Sequence, residues 1–452
     1  MAVGRWPSLL HGQPRTANCE PDMIRRMFIA YEVLLYLVFL LVLPFFLITG
    51  LLRGKYLSNF PQRIGFYRTP AAAHDLWIHA VSVGETLASR PVVDELLRRR
   101  PKTSIVLTTT TITGQTQALR LFPDATITYF PFDFTSSVTR FLDHHRPRVF
   151  AAMETEIWPN VTRLSRARGL RLILANGRLS DRSFPRYRAL RPIVRRILRS
   201  YDRVLVRDEG DRKRFVEIGA PAAAVEVTGN VKFDYAPNEQ PLEIGSALDS
   251  LISGRRVLIL GSTREGEEET IIPELGRFIS EKNAFVIIAP RKPERFDVVA
   301  GLLRPIPFVR RTQLGGGQAI LPVRTDKIVC PPSVLLLDSV GELSRIYPYA
   351  MVAFVGGSLV PTGGHNPIEP AAAGVPVCFG PHMTNFREIA ATFLENGAAV
   401  EVRSPAELIA FARRMFDDKA ARAAYGERAR KTVEQNRGAA ARTAERILEL
   451  LA

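Results

Sequence analysis

From residue 70 onward, apolar runs of four to six residues alternate with amphipathic stretches, and this alternation restricts the fold more than any other feature of the chain. Strands buried on both faces read as continuous apolar runs, and the helices that cover them show a polar and an apolar side. Parallel sheets with helices on both faces follow. Seven candidate strands come first: Leu76 to Val81, Ser104 to Thr109, Ala125 to Phe130, Arg148 to Met153, Leu170 to Ala175, Arg203 to Val206 and Val225 to Thr228. Seven more follow: Val257 to Leu260, Ala284 to Ala289, Pro307 to Arg310, Val334 to Leu337, Met351 to Val355, Val375 to Cys378 and Ala398 to Val402. Between the two series Tyr235 to Gly245, with Pro237, Asn238, Gln240 and Pro241, reads as a linker. The expectation is an α/β chain of two doubly wound, Rossmann-like domains facing a cleft, for which 452 residues suffice. The tail from Pro405 to Ala452 reads as helical, interrupted near Asp417 and Arg437.

Ahead of the first series lies an apolar run from Phe28 to Leu52, broken by Glu32 and mildly by Pro44 and Gly50. It is long enough to span a bilayer and too long for the core of a signal peptide, and no small-x-small cleavage site precedes Arg53. An uncleaved anchor or a deeply embedded interfacial helix fits. Arg25 and Arg26 precede it, and Arg53, Lys55, Arg63 and Arg68 follow it, so flanking charge gives little orientation. Residues 1 to 22 resemble nothing structural, and Met23 or Met27 would make a natural start. The organisation expected is a leader over 1–27, an anchor helix over 28–52, a first domain over 53–235, a second over 246–435 and a C-terminal helix over 436–452.

Charge is unevenly spread. Residues 160 to 214 hold 17 bases and 5 acids, residues 1 to 70 hold 8 and 3, and the rest of the chain is balanced. Such a surplus faces something anionic, phosphate-rich lipid or nucleic acid. Apolar residues at 46% and charged residues at 23% exclude a disordered or fully membrane-embedded chain. Cys19, Cys330 and Cys378 are far apart and lack a CxxC partner, which supports neither a disulfide framework nor structural zinc and fits a reducing compartment.

In open parallel sheets the chemistry lies beyond the carboxyl ends of the strands. Glu85 follows Ser82-Val83-Gly84 directly after the first strand, where a partly desolvated carboxylate could take a proton from an attacking hydroxyl. It is the general-base candidate. Glu154 and Glu156 flank Thr155 after the fourth strand; with no DxD in the chain, a metal role is weak and contacts to sugar hydroxyls fit better. His79, inside an apolar strand, reads as a satisfied core histidine. Arg178, Arg182, Arg186 and Arg188, interleaved with Phe184 and Tyr187, suit bidentate phosphate recognition. No helix-turn-helix, zinc-finger, RRM or KH signature accompanies them, so beside a membrane anchor a phosphorylated lipid is the more economical partner. Gly356 to Gly364 holds four glycines after a strand, with a helix expected near Asn366, Pro367 in its first turn and Glu369 placed for ribose hydroxyls. Ser339-Val340-Gly341-Glu342-Leu343 offers a second helix start. Together these loops suggest a nucleotide-phosphate site.

These loops resemble those of the bacterial Kdo transferases, membrane-associated enzymes that attach 3-deoxy-D-manno-octulosonic acid (Kdo) to lipid A precursor. The resemblance runs from about Met27 to about residue 435 and rests on SVGE from Ser82, METEIWPN from Met153, NGRLS from Asn176, GNVKFD from Gly229 and FVGGSLVPTGGHNPIEPAAAGVPV from Phe354. It implies a GT-B fold, a CMP-Kdo donor on the second domain and a lipid IVA acceptor on the first. It further implies an inner-membrane location with the catalytic domains on the cytoplasmic face, no cofactor and no metal. Glu85 becomes the base of an inverting displacement; Glu154 or Glu156, with Arg178 and Arg182, would serve the acceptor. Arg264, Arg291, Ser339, Val340, Gly341, Glu342, Gly357, Ser358, Asn366 and Glu369 would form the donor pocket, with Arg264 or Lys232 facing the Kdo carboxylate. The family commonly has histidine where Arg264 and Lys292 stand, which bears on their detailed contacts. Two alternatives stay open from the residues alone: a GT-B transferase using a UDP-sugar, and a membrane-tethered nucleic-acid-binding protein.

Overall fold

Fourteen strands of the computed structural model form two parallel sheets. The residues it describes are 19–53, 59–234, 241–314, 323–325 and 328–452. Residues 1–18 of the expected leader and 235–240 of the expected linker lie outside them. In the first sheet β1 (His74–His79), β2 (Ile105–Thr109), β3 (Thr126–Tyr129), β4 (Pro147–Met153), β5 (Arg171–Gly177), β6 (Arg203–Val206) and β7 (Val225–Val227) are ordered 3-2-1-4-5-6-7. Alternate side chains enter opposite faces, as the period of two requires: Leu76, Ile78, Val149 and Ala151 pack on one side, Trp77, Val106, Phe150 and Leu172 on the other. Trp77 has no exposed surface; its ring lies 4.2 Å from Phe141 and 4.3 Å from Phe150, and its indole N–H donates to Thr108 Oγ1 at 2.9 Å.

The second series comprises β8 (Arg256–Thr263), β9 (Ala284–Pro290), β10 (Phe308–Arg310), β11 (Val323–Thr325), β12 (Ile328–Cys330), β13 (Val334–Leu336), β14 (Val352–Val355), β15 (Val377–Phe379) and β16 (Ala399–Glu401). Its sheet runs 10-13-9-8-14-15-16, all parallel, while β11 and β12 form a separate antiparallel hairpin that the apolar pattern did not announce. Leu258, Leu260, Val286 and Phe354 fill one face and Val257, Ile259, Phe285 and Ala353 the other. The architecture is α/β with two doubly wound sheets, as read from the sequence.

By its contacts the chain divides into Met1–Val231 with Gly438–Ala452, and Lys232–Arg437. The tail forms helices Pro405–Asp417, Lys419–Asn436 and Ala439–Leu451. The last of these belongs to the first unit. Its Ala440, Ala444, Ile447 and Leu451 share a core with Val92 and Leu96 of the helix Val83–Arg99, and Arg446 pairs with Glu226 at 2.8 Å.

The N-terminal apolar run forms one helix, Cys19–Arg53, continuous through Pro44 and Gly50. Its Met27–Pro44 segment has the length and composition to cross a membrane. One side of it is fastened to the first unit. Glu32 accepts from Thr135 N at 2.9 Å, Thr135 Oγ1 at 3.0 Å and Asn160 Nδ2 at 2.6 Å, so the charge that interrupts the apolar run is spent on the protein. Tyr31 donates to Asp133 at 2.8 Å, Tyr36 stacks on Phe134, and Phe39 packs against Phe60 and Phe132. The opposite side, with Ile29, Val33, Leu34, Leu37, Val38, Leu40 and Leu41, is exposed.

Candidate functional site

The strand order reverses between β1 and β4 in the first sheet and between β8 and β14 in the second, and nearly every residue singled out in the sequence lies on a loop leaving a strand at its carboxyl end. In the first unit Ser82, extended at φ −127°, ends the exit from β1 and starts the helix Val83–Arg99, which puts Glu85 on the first turn. Its carboxylate bends back onto the chain: Val81 N–H donates to Oε2 at 2.7 Å and Ser82 Oγ donates to Oε1 at 3.2 Å. Burial pushes the Glu85 pKa up to about 8, with Val81 and Ser82 opposing and Glu154 and Glu156 adding to the rise. The structure thus brings together three glutamates that the sequence placed on two separate loops.

Glu154 leaves β4 at φ +60°, a left-handed conformation a non-glycine residue adopts at a cost of roughly 1 kcal/mol or more. It is held there by the buried Arg207, whose Nη2 donates to Oε1 at 2.7 Å. Glu156 instead accepts the Trp158 indole N–H at 2.8 Å, and burial lifts it to about 7, Trp158 opposing and Glu154 adding. Arg178 is tied to this loop through Thr155, which bonds its backbone N–H and carbonyl. Arg182 is exposed. Within the basic stretch, Arg166, Arg168, Arg171, Arg188, Arg203, Arg207, Arg212 and Arg214 are in ion pairs. Arg182, Arg186, Arg191, Arg195 and Arg199 are exposed with no carboxylate in pairing distance among the described residues.

In the second unit the exits of β8, β9 and β14 bring Arg264, Arg291, His365, Asn366 and Glu369 together. Arg264 Nε donates to His365 Nε2 at 3.2 Å, so that ring nitrogen is an unprotonated acceptor. Burial holds His365 down to about 3, and the charges of Arg291 and Arg264 push the same way. Glu369 is raised to about 6 by burial, against the Asn366 amide, which donates to it at 3.3 Å, and the field of Arg291. Neither Arg264 nor Arg291 has a carboxylate within pairing distance among the described residues. Two guanidiniums around a neutral imidazole can together attract an anion.

The glycine loop does not hold its N–H groups free for an external phosphate. Glu267, fully buried in the first turn of the helix Glu267–Lys282, accepts N–H bonds from Gly357 at 2.6 Å, Ser358 at 2.9 Å, Leu359 at 2.8 Å and Arg264 at 3.0 Å. The anion held by this loop is an internal carboxylate, whose pKa burial raises despite the four donors. The helices near Asn366 and after Glu342 are also short, Ile368–Ala372 with Pro367 as its cap and Leu343–Ile346, so each offers about one turn of dipole. Glu342 is engaged by Arg311 at 2.8 Å and by the Ser339 hydroxyl; burial alone would raise its pKa, but these partners lower it. Val340 is 59% exposed and Gly341 turns at φ +92°.

With the geometry in view, comparison with known proteins becomes informative. Residues 58–235 match the family model of 3-deoxy-D-manno-octulosonic-acid transferase (kdotransferase). A 3-deoxy-D-manno-octulosonic acid transferase of Haemophilus influenzae is 33% identical over 429 residues, 93% of this chain and 97% of that one. Another, from Bordetella pertussis, is 36% identical over 397 residues, 85% and 89% of the two chains. The chain belongs to the Kdo transferase family. At the level of fold alone, a solved UDP-N-acetylglucosamine 2-epimerase from Listeria monocytogenes aligns at TM-score 0.55 over 83% of this chain and 95% of that one, at 14% identity.

For a Kdo transferase, four residues near the candidate sites escaped the sequence reading. Arg207 and Glu267 act on groups 53 and 90 or more residues away, separations no local pattern encodes. Glu267 stands in Glu267-Glu268-Glu269, where helix-dipole complementarity is a sufficient local reason for acids; Glu268 and Glu269 in fact hold Arg295. Trp158 and His365 lie inside METEIWPN and the glycine-rich motif, but their roles appear only in the folded chain.

Proposed function

We propose that this chain transfers Kdo from CMP-Kdo to a phosphorylated lipid A precursor, lipid IVA, in the biosynthesis of lipopolysaccharide core. The observation that carries the reading is the half-buried Glu85 beside Glu154 and Glu156 at the strand-order reversal of the first sheet, in a chain of this family. Glu85 is the general base. Its carboxyl accepts the acceptor hydroxyl's proton as that oxygen attacks the anomeric carbon and CMP departs from the opposite face, which inverts the configuration. A carboxyl raised by burial is a stronger base once ionised than an exposed one. Glu156 and Glu154 orient the acceptor sugar, and Arg178 and Arg182 take its phosphate.

Arg264 and Arg291 receive the donor's anionic groups, the Kdo carboxylate and the phosphate, while Asn366 and Glu369 take ribose hydroxyls. Ser339, Val340, Gly341 and Glu342 border the nucleotide, and Gly357 and Ser358 let the loop approach it closely. These guanidiniums stabilise the leaving phosphate electrostatically, so no divalent ion enters the proposed step. The N-terminal helix, through its outward apolar side, and the unpaired arginines together hold the first unit at the cytoplasmic face of the inner membrane. The test is transfer from freshly generated CMP-Kdo to tetraacylated lipid A precursor with EDTA present, read by mass spectrometry of the lipid. A gain of one or more Kdo units is expected; activity only with a different nucleotide sugar would overturn the donor assignment.

A further inference from the structure

One buried nitrogen at the carboxyl end of an interior strand of the first sheet is left unused by the proposed chemistry. His79 ends β1 with no exposed surface, stacked on Phe130 at 3.7 Å between ring centroids. Its Nδ1 lies 3.1 Å from the Thr108 carbonyl oxygen and 3.1 Å from Thr108 Oγ1. The carbonyl can only accept. The Thr108 hydroxyl donates to the Ile78 carbonyl at 3.3 Å and accepts the Trp77 indole N–H, so it too has only a lone pair to offer. The ring hydrogen is therefore assigned to Nδ1, and Nε2 carries a bare lone pair.

That Nε2 has no hydrogen-bond partner among the described residues, and the group it faces is Glu156 Oε2 at 4.0 Å. The other groups around Glu156 are the Trp158 indole, Glu85, Glu154 in its pair with Arg207, Tyr187, and Tyr201, whose hydroxyl donates to the Glu156 backbone carbonyl at 3.4 Å. Of these only Arg207 is a cation, and it is bound to Glu154. A lone pair aimed at an ionised carboxylate is repulsive, whereas a protonated carboxyl can rotate its O–H onto the nitrogen.

We propose that His79 is a positioning residue that keeps a proton on Glu156 by accepting its carboxyl hydrogen at Nε2. No bond to the proton is broken: it remains on Glu156, and the gap closes by rotation of the carboxyl. The directions of the two titrations agree, with burial raising Glu156 to about 7 and lowering His79 to about 3. With its hydrogen on His79, a neutral Glu156 keeps a carbonyl oxygen that can accept from an acceptor hydroxyl without competing with Glu85 for that hydroxyl's proton. This catalytic consequence, and only this, rests on the proposed role of Glu85.

The test is a pH titration of the full-length protein by infrared spectroscopy, following the protonated-carboxyl band that disappears in Glu156→Gln. The wild-type midpoint is expected near neutrality, and in His79→Phe, which keeps the stack on Phe130 and removes the nitrogen, about one pH unit lower. An unmoved midpoint overturns the proposal. The kcat/KM profile of His79→Phe should shift its limb in the same direction with KM for CMP-Kdo unchanged. Should His79→Phe fail to fold by circular dichroism, nitrogen NMR of histidine-labelled wild type at pH 7 decides: hydrogen on Nδ1 alone supports the proposal and an imidazolium overturns it. Absence of Kdo transfer by the wild type would sink the proposed function alone, since the infrared and NMR readouts need no turnover.

Discussion

Replacing Glu267 by glutamine tests whether a carboxylate is what holds the glycine loop. Oε1 of Glu267 takes the N–H groups of Ser358 and Leu359, and Oε2 takes those of Gly357 and Arg264. An amide keeps one oxygen and turns an NH2 group toward the other two donors. Two buried N–H groups then lose their acceptor at about 1–3 kcal/mol each, or about 2–6 kcal/mol together. Relaxation can recover little of this. Gly357 already sits at φ +68°, and a Cβ on Gly356 would lie 2.6 Å from the Ser262 carbonyl oxygen, so the backbone is packed against the exit of β8. For a unit of this size each kcal/mol moves the thermal midpoint by about 2–4 °C, which predicts a drop of about 4–24 °C. Scanning calorimetry of the full chain, with and without CMP, is the assay; the second unit's transition should fall and the first unit's should hold. A glutamine variant melting within about 2 °C of wild type would refute the reasoning, because it would mean the carboxyl is already protonated.

Glu85→Gln should lower kcat for Kdo transfer by about 100-fold or more while titration calorimetry shows CMP binding unchanged; near-normal turnover would remove Glu85 as the base. Between pH 6.5 and 8 the folded first unit holds protons on Glu85 and Glu156, raised to about 8 and about 7, that the unfolded chain has already released near 4.5. The folded state therefore binds more protons, and unfolding free energy should fall as pH rises through this window, with a shallower slope in Glu156→Gln by urea titration. Below pH 6.5 the opposite sign applies to His79 and His145, both held to about 3 by burial, and stability they contribute should be lost as pH falls. Glu32→Ala strands Thr135 N–H and the Asn160 amide; hydrogen exchange at Thr135 should accelerate by about tenfold, the equivalent of 1.4 kcal/mol, and unchanged protection would show that the helix is not fastened there.

The fourteen sheet strands were legible because parallel strands covered on both faces must be apolar at every position, so burial itself writes the pattern. Departures occur where backbone geometry, not burial, decides. β8 runs on past Leu260 through Gly261 to Thr263, across a register shift, and a Cβ on Gly261 would collide with the Tyr347 hydroxyl. The carboxylate candidates were readable too, since an acid immediately after an apolar run has few structural reasons to be there. Their partners were not. Arg207 beneath Glu154 and Glu267 beneath Gly357 and Ser358 are contacts between loops far apart in sequence, and the group each one binds is visible only when the strands are side by side. His79 was expected to be satisfied in the core; it is buried, but only one of its nitrogens is hydrogen-bonded.

The closing helix Ala439–Leu451 has a consequence for how the chain is made. It supplies Ala440, Ala444, Ile447 and Leu451 to the wall that supports the helix of Glu85, and Arg100 and Arg148 reach the carbonyl of Leu451. On the ribosome, therefore, the first unit cannot bury this wall when its own strands emerge. It must wait through the synthesis of Lys232–Arg437, and the second unit, contiguous in sequence, can be complete first. A nascent chain halted before residue 439 would present Val92 and Leu96 without their cover, a surface suited to chaperone binding. The helix that carries the proposed base is thus completed only once residues 439–451 have been translated.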